Sequence, residues 1–284
     1  MTNPNLVSTE WLSQRLGDPT VIPVDGSWYL PAVNRDGPRE FLDAHIPGAA
    51  FFDINVVADT STDLPHMLPA PDVFADAVGK LGIGDGATIV AYDGAGLFAA
   101  ARVWWTFRAF GVKEVYVLDG GLPKWKAEGR PLESGASTRA PTSFTPRFDP
   151  SVAKSGDQVA EGLDAGRFQV VDARPAPRFR GEAPEPRPGV ALGHIPGSLN
   201  VPFDQVVKDG RLAEEAELRA AFEAAGVDVD GPIVTSCGSG VSAAILALAL
   251  EGVGSKAEGI YDGSWAEWGA GGRPVATGPE KQKI

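Results

Sequence analysis

Short β-branched apolar runs alternate along this chain with longer stretches that carry apolar residues at helical spacing. That alternation predicts an α/β fold with a mainly parallel sheet covered by helices on both faces. In the first half it predicts strands at Val21–Asp25, Ala49–Phe52, Thr88–Tyr92 and Val115–Leu118. Helices are expected at Ser8–Leu16, Pro71–Leu81 and Gly96–Phe110, the first capped by Ser8. The second half predicts strands at Gln169–Asp172, Ser198–Val201, Pro232–Ser236 and Ala257–Tyr261. Its helices are expected at Ser155–Ala165, Glu214–Ala225 and Val241–Leu250.

The two halves repeat each other. His45-Ile46-Pro47-Gly48 returns as His194-Ile195-Pro196-Gly197, and residues 89–94 return as 233–238. Residues 118–132, LDGGLPKWKAEGRPL, return as 261–275, YDGSWAEWGAGGRPV. The blocks keep their order, which indicates a duplicated domain of about 130 residues rather than a solenoid repeat. Residues 133–150 are rich in Ser, Thr and Pro and read as a linker between domains at 1–132 and 151–284. Features shared by both halves are expected to be structural, and features of one half to be functional. His45 and His194 therefore read as turn or packing residues. His66 has no counterpart and is a candidate for proton transfer.

The strongest single feature is Cys237-Gly238-Ser239-Gly240-Val241-Ser242, between the strand ending at Ser236 and the helix starting at Val241. Gly238 and Gly240 allow the backbone to curl its N–H groups inward as an anion cradle. The helix N-terminus adds positive potential there. A thiol in that position is expected to react as thiolate. The first half has Asp93 where the second has Cys237. A second one-sided feature is the Pro- and Gly-rich loop Arg174–Gly193, with Arg174, Arg178, Arg180 and Arg187. It reads either as a solvated loop paired with Glu182 and Glu185 or as an anion clamp at the cradle.

Composition narrows the partners. The formal net charge of −12 leaves no basic stripe for nucleic acid. No apolar run approaches a membrane span, and the N-terminal residues show no signal-peptide pattern. One cysteine excludes an internal disulfide and fits a reducing cytoplasm. Three histidines and one cysteine argue against structural zinc, and no cofactor is expected.

On these motifs the chain resembles the rhodanese superfamily of sulfurtransferases over nearly its whole length. The resemblance implies two tandem rhodanese-like domains, the first inactive and the second bearing the cysteine. Cys237-Gly238-Ser239-Gly240-Val241-Ser242 is similar to the C-G-S-G-V-T signature of the 3-mercaptopyruvate sulfurtransferases. Thiosulfate-preferring members typically carry C-R-K-G-V-T. Two loop arginines that hold the mercaptopyruvate carboxylate and keto group in that family match Arg178 and Arg187.

The family's Ser-His-Asp relay maps onto Ser239 and His66, but its third position is Asn55. The resemblance implies sulfur transfer from 3-mercaptopyruvate through a Cys237 persulfide to a thiol acceptor such as thioredoxin or a small thiol. Thiosulfate as donor and a non-enzymatic persulfide carrier are the alternatives. A cysteine phosphatase needs an arginine where this chain has Ala243.

Overall fold

The β-branched runs become the central strands of two five-stranded parallel sheets. The computed structural model describes residues 3–137 and 139–279. The first sheet contains β1 (Leu6–Val7), β2 (Val21–Asp25), β3 (Ala50–Phe51), β4 (Thr88–Tyr92) and β5 (Val115–Leu118), in the order β1-β5-β4-β2-β3. The second half opens with β6 (Ala153–Lys154), β7 (Gln169–Asp172) and β8 (Leu199–Asn200). An antiparallel pair, β9 (Val207–Lys208) and β10 (Arg211–Leu212), follows as a separate ribbon. With β11 (Ile233–Ser236) and β12 (Gly259–Tyr261) the second sheet runs β6-β12-β11-β7-β8, the same order by position as the first.

Helices α1 (Thr9–Ser13), α2 (Gly37–Asp43), α3 (Pro71–Lys80), α4 (Ala100–Ala109) and α5 (Gly121–Ala127) flank the first sheet. The second is flanked by α6 (Gly156–Asp164), α7 (Ala176–Phe179), α8 (Phe203–Val206), α9 (Glu215–Ala224), α10 (Val241–Gly252) and α11 (Ser264–Trp268). The Ala- and Leu-rich pattern of α10 follows from its position. It is buried on all sides, packing against β11, α4, α8 and α9. Truncating Leu246 or Leu248 to Ala there is expected to cost about 2–5 kcal/mol. One apolar cluster spans both sheets through α4 and α10, and each sheet has a smaller cluster on its outer face. The two domains thus share a core.

The repeated motifs serve the same packing purpose twice. His45 stacks on Phe41 and donates from Nδ1 to its carbonyl at 2.7 Å. His194 does the same with Phe179, at 2.9 Å. Trp125 Nε1 donates to Pro131 O and Trp268 Nε1 to Pro274 O, both at 2.8 Å.

Several elements depart from the sequence pattern. The helix expected from Gly96 starts only at Ala100, because Gly96 takes φ +100° and Asp93 captures the amides ahead of it. Helices α2, α5, α7, α8 and α11 carry no clear signal, being seven residues or fewer. Residues 139–150 of the segment read as a linker pack on the first domain. Thr142 and Arg147 donate backbone N–H groups to Gly79 O and Phe110 O, both at 2.9 Å, and Phe148 stacks on Phe110. Among the described residues, no helix is long and apolar enough to cross a membrane.

Candidate active site

Strand β11 ends at Ser236 and α10 starts at Val241, so the intervening residues must turn sharply. Gly240 makes the turn at φ +77°, where a Cβ would lie 2.6 Å from Arg102 Nη1. Only glycine fits that conformation and that contact. Among the described residues, no backbone carbonyl or side chain accepts the N–H groups of Gly238, Ser239, Gly240 or Val241. These amides and the start of the twelve-residue α10 form a cradle with positive potential and no acceptor of its own.

Cys237 stands at the base of the cradle with 2% of its surface exposed. Its own N–H donates to Ser264 Oγ at 3.2 Å and its carbonyl accepts from Trp265 N–H at 2.9 Å. Both ends of the residue are held, so its position is set by the Ser264 side chain and the Trp265 backbone, outside the loop.

A cavity of about 60 Å³ opens above Cys237, with Gly238, Ser239, Val241 and Ser242 on its wall. The two expected arginines, Arg178 and Arg187, line it as well, and so does Arg174. Their roles differ. Arg174 is 1% exposed and locked by Asp172, Glu185 and the Gly193 carbonyl, so it is structural. Arg178 shares Glu185, with Nη2 to Oε2 at 2.5 Å and Nε to Oε1 at 3.3 Å. Arg187 makes no ion pair or hydrogen bond among the described residues. Burial pulls its guanidinium below the usual arginine value, opposed by Cys237 and reinforced by Arg178. A half-buried cation with no anion of its own is suited to an incoming carboxylate. Arg180 lies outside the cavity and pairs with Glu182.

The first domain supplies the remaining wall with Trp28, Leu30 and Phe98. Trp28 stacks on Phe98, and Phe98 tilts onto Phe203 of the second domain. Sequence reasoning missed these aromatics, because nothing local distinguishes them from core residues.

His66 is buried behind Trp28, ring edge to face at 4.8 Å, at φ +63°. Its Nδ1 lies 3.4 Å from Ile54 O, and its Nε2 has no partner. No hydrogen bond joins it to Ser239 among the described residues. Burial, reinforced by Arg102, lowers its pKa to about 3, so the ring is neutral at physiological pH.

The relay role expected for Asn55 is corrected. The residue is exposed, and among the described residues only its backbone N–H bonds, to Asp53 Oδ1 at 2.8 Å. The carbonyl one residue earlier meets the imidazole, because the chain turns at Ile54 and carries the Asn55 side chain outward.

The His66 segment is held against the cradle by a contact between domains that the sequence did not reveal. Arg102 of α4 donates to the carbonyls of His66 and Gly240 and pairs with Asp262 at 2.7 Å. Asp262 Oδ2 accepts the Leu68 N–H at 2.8 Å. The one available signal was Asp262 in the repeated Asp-Gly block. Its counterpart Asp119 also pairs across the domains, with Arg211.

Comparison with known proteins agrees with this architecture. The chain is 46% identical to human 3-mercaptopyruvate sulfurtransferase over 277 residues, covering 95% of this chain and 93% of the relative. It is 44% identical to bovine thiosulfate sulfurtransferase over 271 residues, covering 93% and 91%. The crystal structure of SseA, a 3-mercaptopyruvate sulfotransferase from Escherichia coli, superposes with a TM-score of 0.85 at 40% identity, covering 92% of this chain and 98% of that one. The rhodanese-like domain model matches twice, at residues 8–128 and 155–270, and the chain therefore belongs to the rhodanese family.

Proposed function

We propose that this chain is a sulfurtransferase that takes sulfur from 3-mercaptopyruvate on Cys237 and passes it to a thiol, releasing pyruvate. The observation that carries the reading is the division of labour around the cavity. None of the cradle residues 237–242 carries a cationic side chain, and Arg187, without an ion pair among the described residues, lies on a neighbouring loop. A donor whose charge is some bonds away from its sulfur fits that separation. A Cβ at Gly238 would lie 3.2 Å from Arg178 Nη2, so glycine leaves room for that guanidinium beside the cradle. The 46% identity with the human 3-mercaptopyruvate sulfurtransferase supports the same donor.

In the proposed cycle the Cys237 thiolate attacks the thiol sulfur of the donor. An S–S bond forms and the C–S bond breaks, its electron pair passing to carbon as the enolate of pyruvate. Arg187, with Arg178, holds the carboxylate and keto group. The N–H groups of residues 238–241 stabilise negative charge on the transferred sulfur. Protonation of the enolate completes pyruvate and leaves a persulfide on Cys237. An acceptor thiolate then attacks the outer sulfur and restores the Cys237 thiolate, a ping-pong sequence. In this cycle His66, neutral and with Nε2 unpartnered, accepts a proton by way of Ser239 rather than donating one.

Steady-state kinetics with 3-mercaptopyruvate and thiosulfate, using cyanide as acceptor, test the reading, with mass spectrometry of the donor-treated enzyme. The expected result is the higher kcat/KM with 3-mercaptopyruvate and one added sulfur on Cys237. Preference for thiosulfate would instead align the chain with its bovine relative. Persulfide without turnover would make it a carrier.

A further inference from the structure

Glu185 lies behind Arg174 and Arg178, two of the three cavity-facing arginines of its loop, with only 5% of its side chain exposed. One oxygen accepts from Arg174 Nη1 at 2.8 Å and the other from Arg178 Nη2 at 2.5 Å. Arg174 does not need it as its only counter-ion, because Asp172 already pairs with Arg174 at 2.8 Å. The loop wall therefore combines Arg174, Arg178 and Arg187 with Asp172 and Glu185. Three positive charges against two negative ones leave one net positive charge. The nearby Arg102–Asp262 pair is internally neutral, and His66 is uncharged at neutral pH. The Cys237 thiolate faces the same cavity, but it is common to every variant compared below and so leaves the contribution of the loop wall to be read separately. These charges are buried or half-buried, so solvent ions screen them weakly.

From this we infer that Glu185 is a specificity-determining residue. Its carboxylate cancels one arginine and holds the wall at a single positive charge, which matches a monoanionic donor and disfavours a dianion. The inference rests on the proposed sulfur transfer and concerns which donors that site accepts. Near neutral pH 3-mercaptopyruvate carries one charge, on its carboxylate. Thiosulfate carries two. Its transfer is otherwise parallel: the Cys237 thiolate attacks the outer sulfur, the sulfur–sulfur bond of thiosulfate breaks, and sulfite leaves with the electron pair. A wall with one more positive charge would favour both donors, and the dianion by one further charge–charge interaction. Through a few ångströms of half-buried protein, that extra interaction corresponds to about tenfold or more in relative affinity.

The test compares kcat/KM for the two donors in wild type, Glu185→Gln, Glu185→Asp and Glu182→Gln. Gln keeps the shape of Glu and can still accept from either arginine. Glu182→Gln removes the same charge three residues away, from a partner of Arg180 outside the cavity. The thiosulfate-to-mercaptopyruvate ratio is expected to rise by about tenfold in Glu185→Gln. It should stay near wild type in Glu185→Asp and Glu182→Gln. A ratio in Glu185→Gln that is unchanged or lower overturns the role, as does an equal rise in Glu182→Gln.

Should Glu185→Gln fail to fold, wild type decides. Pyruvate should inhibit competitively at lower concentration than sulfate at matched ionic strength, and the reverse order overturns the inference. Wild type that turns over neither donor sinks the proposed function and this role with it. Wild type that works, with an unmoved ratio in the Gln variant, sinks the role of Glu185 alone.

Discussion

The two domains contain the same strand–loop–helix corner and use it in opposite ways. In the first, Asp93 turns its carboxylate back into its own loop and accepts from the amides of Ala95, Phe98 and Ala100, at 2.9, 2.7 and 2.8 Å. In the second, Cys237 leaves the amides of residues 238–241 without an acceptor among the described residues. Arg35 and Tyr29 also crowd the first loop, with Arg35 donating to Gly94 O at 3.1 Å and both side chains bonding Glu40. A cradle filled by its own side chain is a stabilising cap, and one left empty is a binding site. The residue at the strand end differs, and so does the loop behind it: six residues separate Asp93 from α4, and three separate Cys237 from α10. The pairing of the neighbouring strands is kept. Phe52 N–H donates to Asp25 O, and Val201 N–H to Asp172 O, in the same places.

The largest effect that would sharpen this comparison is at the open cradle. Cys237→Ser should reduce sulfur transfer to background while leaving the unfolding midpoint near wild type, because a hydroxyl is a far poorer nucleophile at neutral pH. Persisting persulfide in that variant would remove Cys237 from the chemistry.

At the filled cradle the effect should be on stability. Asp93→Ala leaves three amides without their acceptor and should cost about 2–4 kcal/mol in urea unfolding. A loss below about 0.5 kcal/mol would mean the carboxylate is not the cap it resembles.

The strand ends offer a third contrast. Asp172 is paired with Arg174, whereas Asp25, in the matching place, has Ser27 and no cation. Burial raises the Asp25 pKa to about 6. The folded state therefore holds this proton more tightly than the unfolded chain does. The resulting stabilisation is full below the ordinary value of 3.8 and is lost as pH rises through about 6. Asp25→Asn removes that dependence and should gain on wild type by about 2–3 kcal/mol between pH 4 and pH 7. Parallel stability curves for the two proteins would show that Asp25 ionises normally.

Within the open site, Arg187→Ala should raise KM for 3-mercaptopyruvate by roughly 10- to 150-fold, the loss of one charge-assisted bond of about 1.5–3 kcal/mol. Thiosulfate should be affected less. Weakening of thiosulfate that equals or exceeds that of 3-mercaptopyruvate would mean that Arg187 supplies general charge and does not read the carboxylate.

The smallest effect is expected at Asn55. Its side chain points to solvent, so Asn55→Asp should leave the pH–rate profile and the stability unchanged within about 0.5 kcal/mol. A shift of the profile to higher pH would return the residue to the relay.

The parts of this site that lie close together in the chain were legible in the sequence. The run from Ile233 to Leu250 encodes strand, glycine turn and buried helix through nearest-neighbour preferences, so it placed Cys237 at a cradle without further help. The duplication made Asp93 stand out as its counterpart. It also marked His45 and His194 as packing residues, since a feature needed twice is more often structural. What only the tertiary structure decided involves contacts between residues far apart in sequence. Arg102 reaches Gly240 across 138 positions, and Asp262 reaches Leu68 across 194. Those contacts exist because α4 and α10 bury their apolar faces against each other in a shared core, which brings the His66 loop and Trp28 to the cradle. The outward turn of Asn55 and the position of Glu185 behind two arginines were likewise set by packing. Spacing within the chain indicates which residues are near in sequence, but the burial of apolar faces determines which side chains meet.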